Sequence, residues 1–168
     1  MQKIYNFNGK DFIYLAPTKT GSETINSLLK MPKVHFTLDQ EIVDNSVYKF
    51  ATVRHPYDRV VSMYNFFSIG KFSTFDEFLI DLAVLKQGAL IYAPQYLYTH
   101  WNFKQAVDNI IKLEELEQAL TEIPLFEGIT EIPHLNKDKR KSTLLTDEHK
   151  EIIADIYPED FELLGYLK

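Results

Sequence analysis

Residues 11–29, DFIYLAPTKTGSETINSLL, constrain the fold more than any other stretch, because an apolar run passes directly into a polar turn and then a helical pattern. Phe12, Ile13, Tyr14, Leu15 and Ala16 form the continuous run of a strand buried on both faces. Ile25, Leu28 and Leu29 then recur at the helical spacing of three and four. The turn between them is thereby placed at a helix N-terminus, where unpaired backbone N–H groups and the positive end of the helix dipole favour an anion. Lys19 adds an ammonium there, and Thr20, Ser22 and Thr24 add hydroxyls around Gly21 and Glu23, so a phosphate-like group is the natural guest. A ligand-free reading stays open beside this one, since Thr20 and Glu23 also fit the S/T-x-x-E capping box. The loop is not the nucleotide-hydrolase pattern G-x-x-x-x-G-K-[ST], because its lysine precedes its single glycine.

Residues 47–53, VYKFATV, form another strand-like run, which passes into RHPYDRVVSMY. Pro56 suits the first turn of a helix, and Val60, Val61, Tyr64 and Phe67 supply that helix with an apolar face. Arg54 then leaves the end of a strand while Ser62 looks back from the following helix, so both reach one anion beside the first loop. The planar fork of arginine suits a phosphate. Taken singly, Arg54 reads as a surface ion pair and Ser62 as a tolerated helix serine.

Together the two loops resemble those of the sulfotransferases that use 3′-phosphoadenosine 5′-phosphosulfate (PAPS), in particular the carbohydrate sulfotransferase branch. In that family a P-K-T-G-[ST]-T loop binds the 5′-phosphosulfate, which falls here on Lys19, Thr20, Gly21, Ser22, Glu23 and Thr24. The second family motif, V-R-[DN]-P-[YF]-x-R-[LV]-x-S-x-[YF], binds the 3′-phosphate through its Arg and Ser, which fall on Arg54 and Ser62. Arg59 takes the motif's other basic position, read as structural. The chain departs from the family in two places: Thr18 stands between Pro17 and the lysine, and Glu23 replaces a hydroxyl residue. Residues 133–142, PHLNKDKRKS, form a basic run in an acidic chain, which composition alone reads as a solvated loop. The resemblance makes it the loop that closes over the donor, with Lys139 and Arg140 on the nucleotide. Residues 144–166 match the family's terminal helical region and its Y-x-x-D-[FY] ending.

The fold this implies is α/β: a three-layer, P-loop-like domain with a central, mostly parallel sheet flanked by helices, the donor lying at the carboxyl ends of the strands. Sulfuryl transfer to an acceptor hydroxyl, most naturally of a carbohydrate, is the implied reaction. PAPS is the donor, adenosine 3′,5′-bisphosphate (PAP) the product, and no metal is required. Lys19 is assigned the oxygen that bridges phosphate and sulfur, and His35 the acceptor proton. His35 follows the first helix in a Val-His-Phe piece expected to run beside the first strand, and carbohydrate sulfotransferases place a His or Glu there as base. A histidine titrating near neutrality suits that task, although one that merely satisfies a strand end would look the same. The aromatic stretch 93–103, APQYLYTHWNF, suits an acceptor wall through Tyr96, His100 and Trp101, because ring faces stack on sugars; packing is the plainer alternative.

Further local signals fill in the chain. Asn8 and Gly9, between KIYNF and the first strand, predict an opening hairpin. Phe72, Phe75, Phe78, Leu79, Leu82 and Leu85 predict a core helix between Gly70 and Gly88, and residues 107–113 a strand of alternating exposure, which the resemblance makes the family's further strand leading into an acidic helix. The 168 residues suit one domain, 1–168. A net charge of −6 argues against nucleic acid and against a long polyanionic acceptor, so any anion site is local. With no cysteine, no charged n-region before an apolar run and no apolar window of spanning length, the expectation is a soluble, cytoplasmic chain. Two rivals remain: a P-loop kinase-like phosphotransferase, which needs Mg²⁺ and a strand-end aspartate, and a nucleotide-binding module without turnover.

Overall fold

A computed structural model of the chain describes residues 3–32, 36–67, 71–131 and 143–168. It begins with β1 (Tyr5–Phe7) and β2 (Lys10–Leu15), paired antiparallel. Asn8 (φ 53°) and Gly9 (φ 77°) join them with two successive left-handed residues, the primed turn that Asn-Gly favours. The hairpin is thus where the sequence puts it. After α1 (Ser22–Leu28) and α2 (Gln40–Asp44), β3 (Tyr48–Val53) pairs parallel with β2, Phe12 opposite Tyr48 and Leu15 opposite Ala51. Then come α3 (Pro56–Phe67) and α4 (Phe75–Leu85), followed by a small hairpin of β4 (His100–Trp101) and β5 (Lys104–Gln105). The strand β6 (Asn109–Lys112) returns to pair parallel with β3, giving a main sheet of order β1-β2-β3-β6. The acidic helix α5 (Leu116–Glu122), α6 (Asp147–Ile156) and α7 (Pro158–Leu164) complete the order. The chain is therefore mixed α/β, with a mostly parallel central sheet flanked by helices.

The apolar run of β2 is continuous because both of its faces are covered. Side chains alternate along a strand, and Phe12 and Tyr14 join Phe50 on one face, where the Tyr14 and Phe50 rings stack at 4.7 Å. Ile25 of α1 and Leu29 just after it, with Leu116 and Leu120 of α5, close that face. Ile13, Leu15 and Ala51 point the other way, onto Phe36, Leu38, Ile42 of α2, Tyr98 and Val107. Beyond the sheet, Val60 and Met63 of α3 pack with Phe78 and Leu82 of α4 and Ile153 and Ile156 of α6. Val61, Tyr64 and Phe67, expected on the apolar face of α3, are half-buried at the margin of this cluster.

Two expectations change in detail. The terminal helical region is two helices, since Pro158 cannot continue α6 and instead opens α7 at its first turn. Phe36, expected in a strand-like piece, lies outside any strand and packs onto the sheet. Among the described residues no helix is long and apolar enough to cross a membrane.

Candidate functional site

The parallel register of β2 and β3 decides where the two loops go. Both strands end at the same edge of the sheet, so the loop that follows Leu15 and the one that follows Val53 leave from adjacent strands, which lie about 4.8 Å apart.

The first loop is built around Thr20. Its fully buried hydroxyl donates to the Pro17 carbonyl at 2.7 Å and lies 3.2 Å from Thr52 Oγ1, which is 2.7 Å from the Tyr14 hydroxyl. That hydroxyl therefore pins the loop to the interior, and what Thr20 can offer a guest is its main chain. The capping-box reading fails for the same reason. The N-cap of α1 is Gly21, without a side-chain cap, and Gly21 is left-handed at φ 83°. A Cβ on Gly21 would stand 2.5 Å from Leu113 Cδ1, so the turn that follows β6 closes the loop from behind. Ser22 and Glu23 occupy the first turn of α1, half-buried, and Thr24 is buried. With seven residues α1 is under two turns, so its dipole is small. Lys19 is itself left-handed (φ 68°), and its Nζ sits 4.1 Å from the centroid of the Phe66 ring.

The second loop meets the first through α3. Arg59 is almost wholly buried; its Nε donates to the Thr18 carbonyl at 3.0 Å and an Nη to the Ala93 carbonyl at 2.8 Å. Phe66, seven positions later, holds Lys19. Residues at i, i+3 and i+7 share one stripe of a helix, so Ser62 lies between two contacts that both belong to the first loop. The structural role read for Arg59 matches its bonds. Arg54, half-buried, is fixed through its main chain: its N–H donates to Gln95 Oε1 at 2.8 Å and its carbonyl accepts from Gln95 Nε2 at 2.9 Å. The His55 N–H donates to Glu114 Oε1 at 2.8 Å, and the ring packs against Tyr57, Phe161 and Tyr166. His55 thereby orders its loop.

The aromatic stretch divides by burial. Tyr98 is core, and the Tyr98 hydroxyl donates to the Leu90 carbonyl at 3.2 Å. Tyr96 is half-buried and stacks on Phe103 (centroids 6.2 Å, planes 10° apart), which is 67% exposed at the turn of the β4–β5 hairpin. Trp101 is half-buried and His100 is buried. The Thr99 hydroxyl donates to the Tyr96 carbonyl at 3.2 Å and lies 2.8 Å from His100 Nδ1. With its proton used that way, Thr99 accepts from Nδ1–H, and Nε2 is the basic nitrogen of His100. Burial lowers the His100 pKa from its ordinary value. The stretch lies against the segment after α1, because the Leu38 N–H donates to the Leu97 carbonyl at 3.2 Å.

His35, Lys139 and Arg140 lie outside the described residues. Sequence reasoning missed Gln95, Asp160, Phe66 and Phe103 as site-building residues. Phe66 leaves a trace in its seven-residue spacing from Arg59, and Asp160 one as the aspartate of the Y-x-x-D-[FY] ending; Gln95 meets Asp160 across a separation of 65 positions. No protein-family model, curated protein or solved structure matches this chain.

Proposed function

We propose that the chain is a PAPS-dependent sulfotransferase of the carbohydrate branch, with the P-loop-like three-layer fold of that family. The observation that supports this most is the meeting of two loops at the ends of adjacent parallel strands, with Arg59 of α3, the helix after the second loop, fastened to the first. In this reading the first loop takes the 5′-phosphosulfate through its N–H groups, Ser22 and Lys19, while Arg54 and Ser62 take the 3′-phosphate. Lys139 and Arg140 are carried over from the resemblance alone. The acceptor oxygen bonds to sulfur as the bond from sulfur to the bridging phosphate oxygen breaks, and that electron pair leaves with the phosphate of PAP. Lys19 moves from the Phe66 face to neutralise the growing charge. The acceptor proton passes to a base, His35 in this reading, and the stacked Tyr96 and Phe103 rings with Trp101 offer apolar faces to a sugar.

A kinase would instead need a carboxylate at a strand end to hold Mg²⁺. The strands β2, β3 and β6 end on Leu15, Val53 and Lys112, and the Thr20 hydroxyl is turned to Pro17 and Thr52, which favours the metal-independent chemistry. The test is turnover of sulfur-labelled PAPS against a panel of glycans and small alcohols. His35→Ala is expected to lower kcat by roughly 10²–10⁴-fold with PAP affinity nearly intact. Near-full turnover in His35→Ala, with loss in His100→Ala, would move the base to His100 Nε2. No transfer to any acceptor despite PAP binding would leave a nucleotide-binding module.

A further inference from the structure

Gln95, Arg59 and Asp160, outside the proposed contacts, are buried almost completely, each no more than 1% exposed. They form one continuous path between the two loops. The path starts at the Thr18 carbonyl, which accepts from Arg59 Nε. An Arg59 Nη lies 3.8 Å from Asp160 Oδ2, and the same oxygen accepts the Gln95 N–H at 3.0 Å while Oδ1 accepts the Tyr96 N–H at 2.9 Å. The Gln95 amide then brackets Arg54, accepting from its N–H and donating to its carbonyl. Every link is a side chain on backbone or on another charge.

A buried ion pair is a weak source of stability against an apolar set of the same volume. What this path supplies is geometry. The amide of Gln95 fixes both main-chain polar groups of Arg54, hence where the second loop stands relative to the first, while Arg59 fixes the first loop two residues before Thr20. Burial pushes the Asp160 carboxyl up from its ordinary range, and Arg59 with the two backbone N–H groups pulls it back.

We infer that Gln95 and Asp160 are positioning residues that set the spacing between the two anion-binding loops, and with it the preference for a guest carrying two phosphates. The inference rests on the two-loop nucleotide reading above. A guest that engages two sites at once gains affinity only while their spacing matches its own. Loosening the path therefore removes the gain of the two-phosphate guest and leaves a one-phosphate guest as it was.

The experiment is isothermal titration of the full chain with PAP, adenosine 5′-monophosphate and adenosine 3′-monophosphate, for the native protein, Gln95→Met and Asp160→Asn. The isosteric Met keeps the packing of Gln95 and removes its hydrogen bonds. The native protein is expected to bind PAP at least a hundredfold more tightly than either monophosphate. Both variants are expected to lose tenfold or more in PAP affinity, with both monophosphate constants within twofold of native. A native protein that does not prefer PAP overturns the two-loop reading and this inference with it. A native preference that both variants keep overturns the inference alone. Equal losses for all three nucleotides, or variants that do not fold by circular dichroism, would make the path a folding element and overturn it likewise.

Discussion

Among the described residues the bonds of Arg54 run through its main chain, and the proposal gives its guanidinium the 3′-phosphate. If it holds the 3′-phosphate, Arg54→Ala weakens PAP binding by about 1.5–3 kcal/mol, the range for a charge-assisted hydrogen bond, and Ser62→Ala by less. Unchanged PAP affinity in a folded Arg54→Ala protein would remove the second loop from the site. His100 carries the residue-scale prediction for pH. Burial holds its pKa below the ordinary 6.5, so the fold prefers the neutral ring. That contribution to stability is complete above pH 6.5 and is lost as the pH falls through the lower folded value. His100→Gln is therefore expected to lose less thermal stability than the native protein between neutral pH and mildly acidic pH; equal acid losses would show that His100 charges without cost.

The elements were legible wherever their signals are local. The continuous apolar run of β2, the Asn8-Gly9 turn, Pro56 at a helix start and the Phe-rich pattern of α4 each act within a few residues, and each appears in place. The Thr20 to Glu23 capping box was equally local and did not form, because the Thr20 hydroxyl finds Pro17 and Thr52, and Thr52 is 32 positions away. The split of the aromatic stretch into a core Tyr98 and an outward Tyr96 was hidden for a similar reason: irregular backbone has no period from which to read a face. One cap that did form was not read from the pattern, since His149 stands where a Glu or Gln is usual. Thr146 accepts from the His149 N–H at 3.1 Å, His149 Nδ1 accepts the Thr146 N–H at 3.2 Å, and His149 Nε2 lies 2.8 Å from Asp76 of α4. Thr146→Ala is expected to cost about 1 kcal/mol, the usual loss of an N-cap, measured by urea denaturation; a loss within error would mean that packing on α3 and α4 holds α6 alone.

At the scale of the molecule, an acidic chain of net charge −6 is proposed to bind an anion, and the resolution is local. Main-chain N–H groups, Lys19 and Arg54 gather at one sheet edge, and Arg59 and Asp160 brace that edge from within. The approach of the two loops could be foreseen from consecutive strand-loop-helix units, because parallel neighbours must end at a common edge. The brace could not, since its members come from α3, the stretch before β4, and α7. The most direct test of the two-loop site is calorimetric titration of the full chain with PAP in the absence of metal, beside ATP with Mg²⁺. Saturable one-to-one binding of PAP, tighter than that of ATP with Mg²⁺ and weakened in Arg54→Ala, is the predicted result; no binding of PAP, or tighter binding of ATP with Mg²⁺, would contradict it.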